Sequence, residues 1–570
     1  IRNVGIVAHI DAGKTTVSER MLFHSGVERR FGEVDSGTSV MDWMAEERER
    51  GITITAAATT LPWRDGYRLH LIDTPGHVDF TVEVERSLRV LDGAVLVIDA
   101  VAGVQAQSET VWRQMRRYDV PCIAFVNKCD RLGADFLAAV SSIESRLGAR
   151  AIPVQYPLFQ DEEGGGPAQL SGVADLVRRC VYRWEKGRVV EQPWPEAEAD
   201  ELGVLREELL ELLAEGDEEF LEQFFEADRE PDSASILQAL RRATIANRLV
   251  PCHCGAALRN VGVPALLDAI CDLLPHPLEV APPEGQLLGS EERITCEPHL
   301  DAPLTALIFK LWAGEHGDLS YARVYSGTLQ PGDSVYVPRH DRTERVARIL
   351  RMHADHGQSI ERALPGDIVA LTGLKFAATG DTLCTKRHAV SLEPLEFPEP
   401  VITRSVEPES AADRDRLREA LQRLEREDPS FRVREDLETG ELLMAGMGEL
   451  HLEVTCHRLR RDFHVRPRVG QPRVAYREAL RAAGRGRGLV ETVIGGREVF
   501  GAVEVEICPD TERHGVGLEW ATEAVPSRFR EAVHEALAQE AESGPRFGYP
   551  MTQGRVRVIG AESREGLGAD

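Results

Sequence analysis

Short, mostly apolar stretches recur near the start of the chain, at residues 4–8, 69–72, 94–100 and 122–126. Turn or polar residues bound each one, and helical stretches separate them. A strand that is apolar along its length is buried on both faces. The pattern therefore predicts βαβ units and a parallel sheet with helices on both sides. The pattern then changes. Residues 154–188 hold strand-like pieces around a turn at Gly164-Gly165-Gly166. Residues 196–241 read as acidic helix, with Leu210, Leu213, Phe220 and Phe224 recurring at turn spacing. Leu249-Val250-Pro251-Cys252 reads as the return of the sheet, which makes residues from 154 to about 247 an insertion.

Residues 275–292, rich in Pro, Gly and Glu, read as a linker. From 304 to about 389, short β-rich runs alternate with turns such as Gln330-Pro331-Gly332-Asp333 and Pro365-Gly366-Asp367, the pattern of a small β-barrel. Phe397-Pro398-Glu399-Pro400 punctuates the chain again. Residues 401–465 read as a compact α+β unit. From Tyr476 strands alternate with one clear helix, which starts near Pro526 and Ser527 and carries Phe529, Val533 and Leu537 on one face. The expected domains are 1–280, 293–394, 398–470 and 471–570.

Composition narrows the class. A chain of 570 residues is too long for one core, in keeping with several domains. No stretch approaches the roughly 20 uncharged apolar residues of a membrane-spanning helix. Ten cysteines without a repeated spacing argue for reduced thiols in the cytoplasm and against a disulfide framework. The chain opens directly on a strand, with no signal peptide and no initiator Met, which reads as a trimmed start. A net charge of −27 argues against a nucleic-acid partner as a whole-chain average. A binding face is local, however. Acidic residues crowd 196–230, whereas Arg dominates 458–487.

The chemistry lies in three motifs. Ala8-His9-Ile10-Asp11-Ala12-Gly13-Lys14-Thr15 fits the phosphate-loop pattern G-x-x-x-x-G-K-[ST], except that Ala8 replaces the first Gly. It sits between a strand and a helix, as a P-loop must. Its N–H groups would surround a β-phosphate, Lys14 would bridge β- and γ-oxygens, and the Thr15 hydroxyl would bind Mg²⁺. The second motif, Asp73-Thr74-Pro75-Gly76-His77, follows a strand. Asp73 is placed to hold Mg²⁺ through water, and the N–H of Gly76 to meet the γ-phosphate. The third, Asn127-Lys128-Cys129-Asp130, follows another strand. The Asp130 carboxylate can accept hydrogen bonds from N1–H and the 2-amino group of guanine, which adenine does not offer. The nucleotide is therefore GTP, with GDP as product. All three motifs fall at the C-terminal ends of expected strands, where open α/β sheets bind ligands.

These residues resemble translational GTPases of the elongation factor G type. The likeness runs through Arg50-Gly51-Ile52-Thr53-Ile54-Thr55, Asp73 to Phe80, and Glu83 to Ala94. It continues in Arg323-Val324-Tyr325-Ser326-Gly327, Gly380-Asp381-Thr382-Leu383, Glu427-Asp428-Pro429-Ser430-Phe431, Gly446-Met447-Gly448-Glu449-Leu450-His451-Leu452 and Gln471-Pro472-Arg473-Val474-Ala475-Tyr476-Arg477-Glu478. The resemblance implies a multidomain α/β plus β fold. Its parts would be a P-loop GTPase domain with an insertion, a β-barrel, a ferredoxin-like α+β third domain and a partial fourth α+β domain.

The resemblance also implies roles. Thr53 would close on Mg²⁺ and the γ-phosphate, giving a metal set of Thr15, Thr53 and Asp73. His77 would position the attacking water beside an apolar gate of Ile10 and Ile52. Asp11 would help hold a monovalent cation. Thr16 falls within the nucleotide-binding loop. Gly255-Ala256-Ala257 falls where the family has Gly-Ser-Ala against guanine, so one base contact changes. The implied partners are the ribosome, with its rRNA and stalk proteins, and the tRNA–mRNA complex. The factor would be a cytoplasmic monomer, with no membrane involved, that drives translocation. Ribosome recycling, ribosomal protection, or a slow GTP switch that only times release remain open beside translocation.

Two stretches read as structural, and a third is open. Cys252-His253-Cys254 lacks a second ligand pair and reads as core. Glu449 and His451 read as a contact near the nucleotide domain. The acidic run at 196–230 reads equally as a solvated helix face or as the stalk contact. The fourth-domain tip departs from the family. Arg564-Glu565-Gly566-Leu567-Gly568 stands where a His-Asp pair is usual, and Gly495, Gly496, Arg497 and Gly501 survive without the usual Gln and His. The family's fifth domain does not follow.

Overall fold

The computed structural model describes residues 1–570 except 29–31, 33–38, 42–43, 51–52, 65, 161–168, 186–187, 197, 227–230, 315–316, 354–355, 393–397, 495, 522–524, 526 and 565–570. Gly51, Ile52, the glycine turn at 164–166, Phe397, Gly495, Pro526 and residues 565–568, all singled out above, lie outside the described residues. So do the side chains of Phe224, Arg497 and Ser527. The chain forms two compact units. One comprises residues 1–434 and 442–470, the other 435–441 and 471–570.

The first unit is built on strands β1 (Arg2–Ala8), β2 (Ala57–Trp63), β3 (Tyr67–Asp73), β4 (Gly93–Asp99), β5 (Cys122–Asn127), β6 (Ala151–Pro153) and, after the inserted segment, one that resumes at Val250–Cys254. Their order is β2-β3-β1-β4-β5, then Val250–Cys254, then β6. All neighbouring pairs are parallel except β2–β3. The sheet is therefore mixed, which corrects the all-parallel expectation. β2 carries Thr59, Thr60 and Pro62 and has no continuous apolar run. It joins as the antiparallel partner of β3, covered mainly on one face.

Alternation along the strands explains the two cores. Ile6, Leu71, Val95, Val97, Ile123 and Phe125 face one side, where Leu22, Leu266 and Ile270 cover them. Val7, Ile72, Leu96, Ile98, Ala124 and Val126 face the other, under Val84, Leu88, Trp112 and Ile143. Each of these parallel strands thus buries both faces, and every loop at their C-terminal edge opens toward the same end.

Between β6 and Val250–Cys254 the inserted segment forms a four-stranded antiparallel sheet and three helices, Ala199–Gly216, Glu218–Glu226 and Ser233–Ile245. The stretch read as a linker contains a strand, Glu284–Leu287, which pairs with Arg293–Thr295 and Val390–Leu392. Gly285 there lies against Val390, and the backbone supplies a ladder that the Pro-rich composition hid. The β-rich part surrounds a core of Ile308, Val324, Val335, Ile349, Val369 and Leu383. The α+β part has a four-stranded sheet under the helices Arg414–Glu427 and Glu449–Arg461. In the second unit a sheet of Gly484–Ile494, Arg497–Pro509, Gly554–Ser563 and Val516–Trp520 packs Val558 against Phe529, Val533 and Leu537 of the helix Ser527–Ser543. Among the described residues no helix is long and apolar enough to cross a membrane.

Cys252 and Cys254 are fully buried and their thiols are unpaired, as are the other eight. Among the described residues no three His, Cys, Asp or Glu side chains come together as a metal site. His253 is buried between these cysteines with neither ring nitrogen hydrogen-bonded. Burial pushes its pKa down to about 3. The unfolded chain takes up this proton below about pH 6.5, whereas the folded chain does so only near the lower value. Stability is therefore complete above about pH 6.5 and falls by up to about 1.4 kcal/mol per pH unit below it. His253→Leu should flatten the fall in urea midpoint between pH 6.5 and 5. An unchanged slope would show that the ring does not stay neutral.

Candidate active site

β1 ends at Ala8 and the chain turns through Asp11, at φ 63°, and Gly13, at φ 91°. A side chain at Gly13 would be strained and would collide with the Asn127 amide. Helix α1 (Lys14–His24) starts at the next residue, so its first N–H groups open onto the loop. The loop borders a cleft of 410 Å³, within the range of small-molecule sites. Asp11, Gly13, Lys14, Thr15, Thr16, Thr53, Gly76, His77, Asn127, Lys128, Asp130 and Ala257 line it. Ala12, Asp73, Gly255 and Ala256 are buried and are not among the lining residues.

Lys14 is the centre of the polar contacts. Its ammonium is 2.7 Å from a carboxylate oxygen of Asp73 and donates to the Thr53 hydroxyl at 3.0 Å. Thr15 and Thr53 place their hydroxyls 3.1 Å apart. The second Asp73 oxygen accepts from Ser18 at 3.1 Å. All four of Lys14, Thr15, Thr53 and Asp73 are less than a tenth exposed. Two hydroxyls and a carboxylate around one positive charge form an oxygen-rich set that suits a hard divalent cation, with the ammonium standing in for its charge.

Asn127 joins the first loop to the third. Its amide donates to the Ala12 carbonyl at 2.9 Å and accepts from the Ala257 N–H at 2.9 Å. Lys128 donates to the Asp11 carbonyl and lies 2.7 Å from Asp99. Burial opposes the charge on Asp99, but Lys128 and the N–H groups of Val101 and Ala102 hold its carboxyl below the ordinary range. Gly255 packs where a side chain would collide with the Val261 carbonyl and the Phe125 ring, so its glycine is structural.

On the other wall, Gly76 packs beside Ile10, which is 39% exposed. His77 is partly exposed at the cleft, and its Nδ1 accepts from the Asp79 N–H at 3.3 Å. His9 is buried, 3.4 Å from the Ser108 hydroxyl, and burial holds its imidazole below the usual pKa. Three residues escaped the sequence reading. Arg131 and Leu258 line the cleft, Leu258 being 68% exposed. Arg259 pairs with Asp130 at 2.8 Å. Its position directly after Gly255-Ala256-Ala257 was the available signal for Leu258. Arg259 had none, because the ion pair joins residues far apart in sequence.

In the second unit Arg564 pairs with Glu491 at 2.9 Å and stacks on Phe500, its guanidinium carbon 3.9 Å from the ring centre.

The first part of the chain matches the family description "Elongation factor Tu GTP binding domain" over residues 1–276. The descriptions "Elongation factor G domain 2", "Elongation Factor G, domain III" and "Elongation factor G, domain IV" match residues 303–386, 397–471 and 472–565. Elongation factor G of Thermotoga petrophila is 46% identical over 99% of this chain and 81% of its own. Elongation factor G 2 of Syntrophomonas wolfei is 45% identical over the same shares. The crystal structure of a Thermus thermophilus protein superposes with a TM-score of 0.83 at 29% identity, covering 100% of this chain and 82% of that one. With a GTP-binding domain at its head and this identity along nearly its whole length, the chain belongs to the elongation factor G family of translational GTPases.

Proposed function

We propose that the protein binds the ribosome in the cytoplasm as a monomer and couples GTP hydrolysis to movement of the tRNA–mRNA complex. The observation that carries this reading is Thr53, seated against both Lys14 and Thr15 across 39 and 38 residues of chain. A residue so placed can report whether a third phosphate and its metal are present. Loss of that phosphate would release it. We assign the domain limits 1–280, 293–394, 398–470 and 471–570 to the same reading, with the inserted segment offered to the ribosomal stalk.

The site roles follow from chemistry. The loop from Asp11 to Thr16 holds the phosphates with its N–H groups, and Lys14 moves from Asp73 to the β- and γ-oxygens. Thr15, Thr53 and, through water, Asp73 would hold Mg²⁺, which neutralises phosphate charge when bound. Asp11 offers an oxygen to a monovalent cation. Asp130 reads guanine, Lys128 and Leu258 flank its ring, and Asn127 with Gly255, Ala256 and Ala257 holds the base-binding loops together. His77 accepts at Nδ1, so a neutral ring carries its proton on Nε2. Such a ring orients water by donating to it and keeps its own proton; as the water oxygen bonds to the γ-phosphorus and the bond to the β–γ bridging oxygen breaks, the water's proton passes to a phosphate oxygen. Ribosome contact would complete this alignment, on the scale of ~10³–10⁵ that activators supply to other GTPases.

A second reading has its own support. Arg564 is already committed to Glu491 and Phe500. Less of its charge is then offered to an RNA phosphate, which favours a factor weaker in translocation. Single-turnover translocation on defined ribosome complexes separates the two. A rate equal to that of a standard elongation factor G rejects the weaker-factor reading.

Two substitutions test the site. Asp130→Asn should weaken GTP binding by at least ~10-fold, since a hydrogen bond to a charged group is worth roughly 1.5–3 kcal/mol, and should shift preference toward XTP. Unchanged preference in competition binding removes Asp130 from base recognition. His77→Ala should leave GTP affinity near wild type and lower ribosome-stimulated turnover by at least ~10²-fold. Equal losses in binding and turnover would make His77 structural.

A further inference from the structure

The backbone after Thr53 is gripped by side chains. The N–H groups of Ile54 and Thr55 both donate to one oxygen of Glu47, each at 3.0 Å. The other Glu47 oxygen accepts from the Met44 N–H at 3.0 Å. Glu47 is fully buried on the short helix Ala45–Arg50. The next N–H, that of Ala56, donates to Glu83 at 3.1 Å. The Ala56 carbonyl accepts from the Lys310 ammonium, itself 3.1 Å from Glu83.

Glu83 belongs to the helix Thr81–Leu88, which begins four residues after His77. Burial opposes its charge, but Arg86 and Lys310 outweigh that and hold the carboxyl below its usual range. Three successive N–H groups beside Thr53 therefore end on carboxylates from two helices. Ile54 meanwhile packs in a small core with Met44, Phe80 and Val454.

We propose that Glu47 is a positioning residue for GTP hydrolysis. Its carboxylate fixes residues 54 and 55 so that the Thr53 hydroxyl stays between Lys14 and Thr15. Glu83 ties the same segment to the helix that follows His77. The two loops that flank the reacting phosphate then move as one body. A carboxylate is required because it only accepts. An amide would turn a donor toward either the Ile54–Thr55 pair or Met44. The inference rests on the reading of Thr53 as the residue that senses the third phosphate.

The test compares Glu47→Gln, Glu47→Asp and Thr53→Ala with the wild-type chain. Single-turnover GTP hydrolysis with bacterial ribosomes, equilibrium affinity for fluorescent GDP and for a non-hydrolysable GTP analogue, and tryptic cleavage at Arg48 and Arg50 are measured. Glu47→Gln should hydrolyse GTP ~10–100-fold more slowly, the cost of a misplacement of about 1 Å. Its GDP affinity should match wild type. The analogue should slow cleavage at Arg48 and Arg50 in the wild-type chain, by seating Thr53 and the segment beside it, and should not do so in Glu47→Gln. Glu47→Asp, which keeps the charge but loses reach, should show the same split to a smaller degree and carries the test if the Gln variant fails to fold. Wild-type hydrolysis in both Glu47 variants, with Thr53→Ala impaired, overturns the positioning role and leaves the Thr53 reading intact. Wild-type hydrolysis in Thr53→Ala overturns that reading itself. Equal loss of GDP and analogue affinity in both Glu47 variants makes Glu47 merely structural and also overturns the proposal.

Discussion

The Lys14 ammonium is held 2.7 Å from Asp73 at the buried C-terminal end of the parallel strands of a mixed sheet, and the arrangement of the cleft depends on that contact. Neither partner is well solvated, and a buried ion pair loses hydration that geometry must offset. Here the geometry does so with extra hydrogen bonds, from Lys14 to Thr53 and from Ser18 to Asp73. Removing either charge would leave the other uncompensated. In the proposed function this charge-balanced pair is the seat a nucleotide and its metal ion would replace: phosphates would take the ammonium, and a divalent cation would be held by the hydroxyls and, through water, by the carboxylate. The sheet makes this possible. Its central strands are mostly apolar on both faces, and the cleft's polar groups collect at their C-terminal ends.

From that seat, contacts run outward through the rest of the first unit. Arg86 pairs with Glu83 and donates to the Glu427 carbonyl at 3.0 Å. Glu427 also pairs with Arg458 at 2.6 Å, and the Arg458 guanidinium lies 3.9 Å from the centre of the Trp312 ring. Arg461 pairs with Glu46 at 2.7 Å, and His451 packs edge-on to Phe80. A side chain at Gly448 would collide with Asp79, which gives the glycine of Met447-Gly448-Glu449 a steric reason. The β-rich and α+β parts therefore both touch the segments that bear Thr53 and His77. A change in either segment must break or remake buried, charge-assisted contacts, which favours two discrete arrangements over a continuous deformation.

How much of this was legible in the sequence depended on distance along the chain. The strands around Ile6, Leu96 and Ala124 were plain because a doubly covered strand is apolar at every position. The Lys14, Asp73 and Asp130 motifs were plain because each sits just past such a strand. β2 was missed because its Thr-rich run has neither a continuous apolar stretch nor strict alternation. The strand Glu284–Leu287 was missed because its pairing partners supply the ladder that its own composition does not advertise. Glu47, Glu83, Lys310 and Arg259 look like ordinary surface charges in sequence. Their roles come from contacts formed only on folding: Glu83 meets Lys310 across 227 residues of chain, and Arg259 meets Asp130 across 129. Long-range electrostatic pairing has no periodic signature.

In the proposed function, Lys14 is the cation that a nucleoside triphosphate would take over. The most direct test is equilibrium titration of Lys14→Ala with fluorescent GTP analogue and GDP in Mg²⁺, with circular dichroism as a check on folding. Loss of hydrogen bonds to two phosphates, each worth roughly 1.5–3 kcal/mol, predicts at least ~10²-fold weaker binding of the analogue by a folded chain. Wild-type affinity in a folded Lys14→Ala variant would contradict the account.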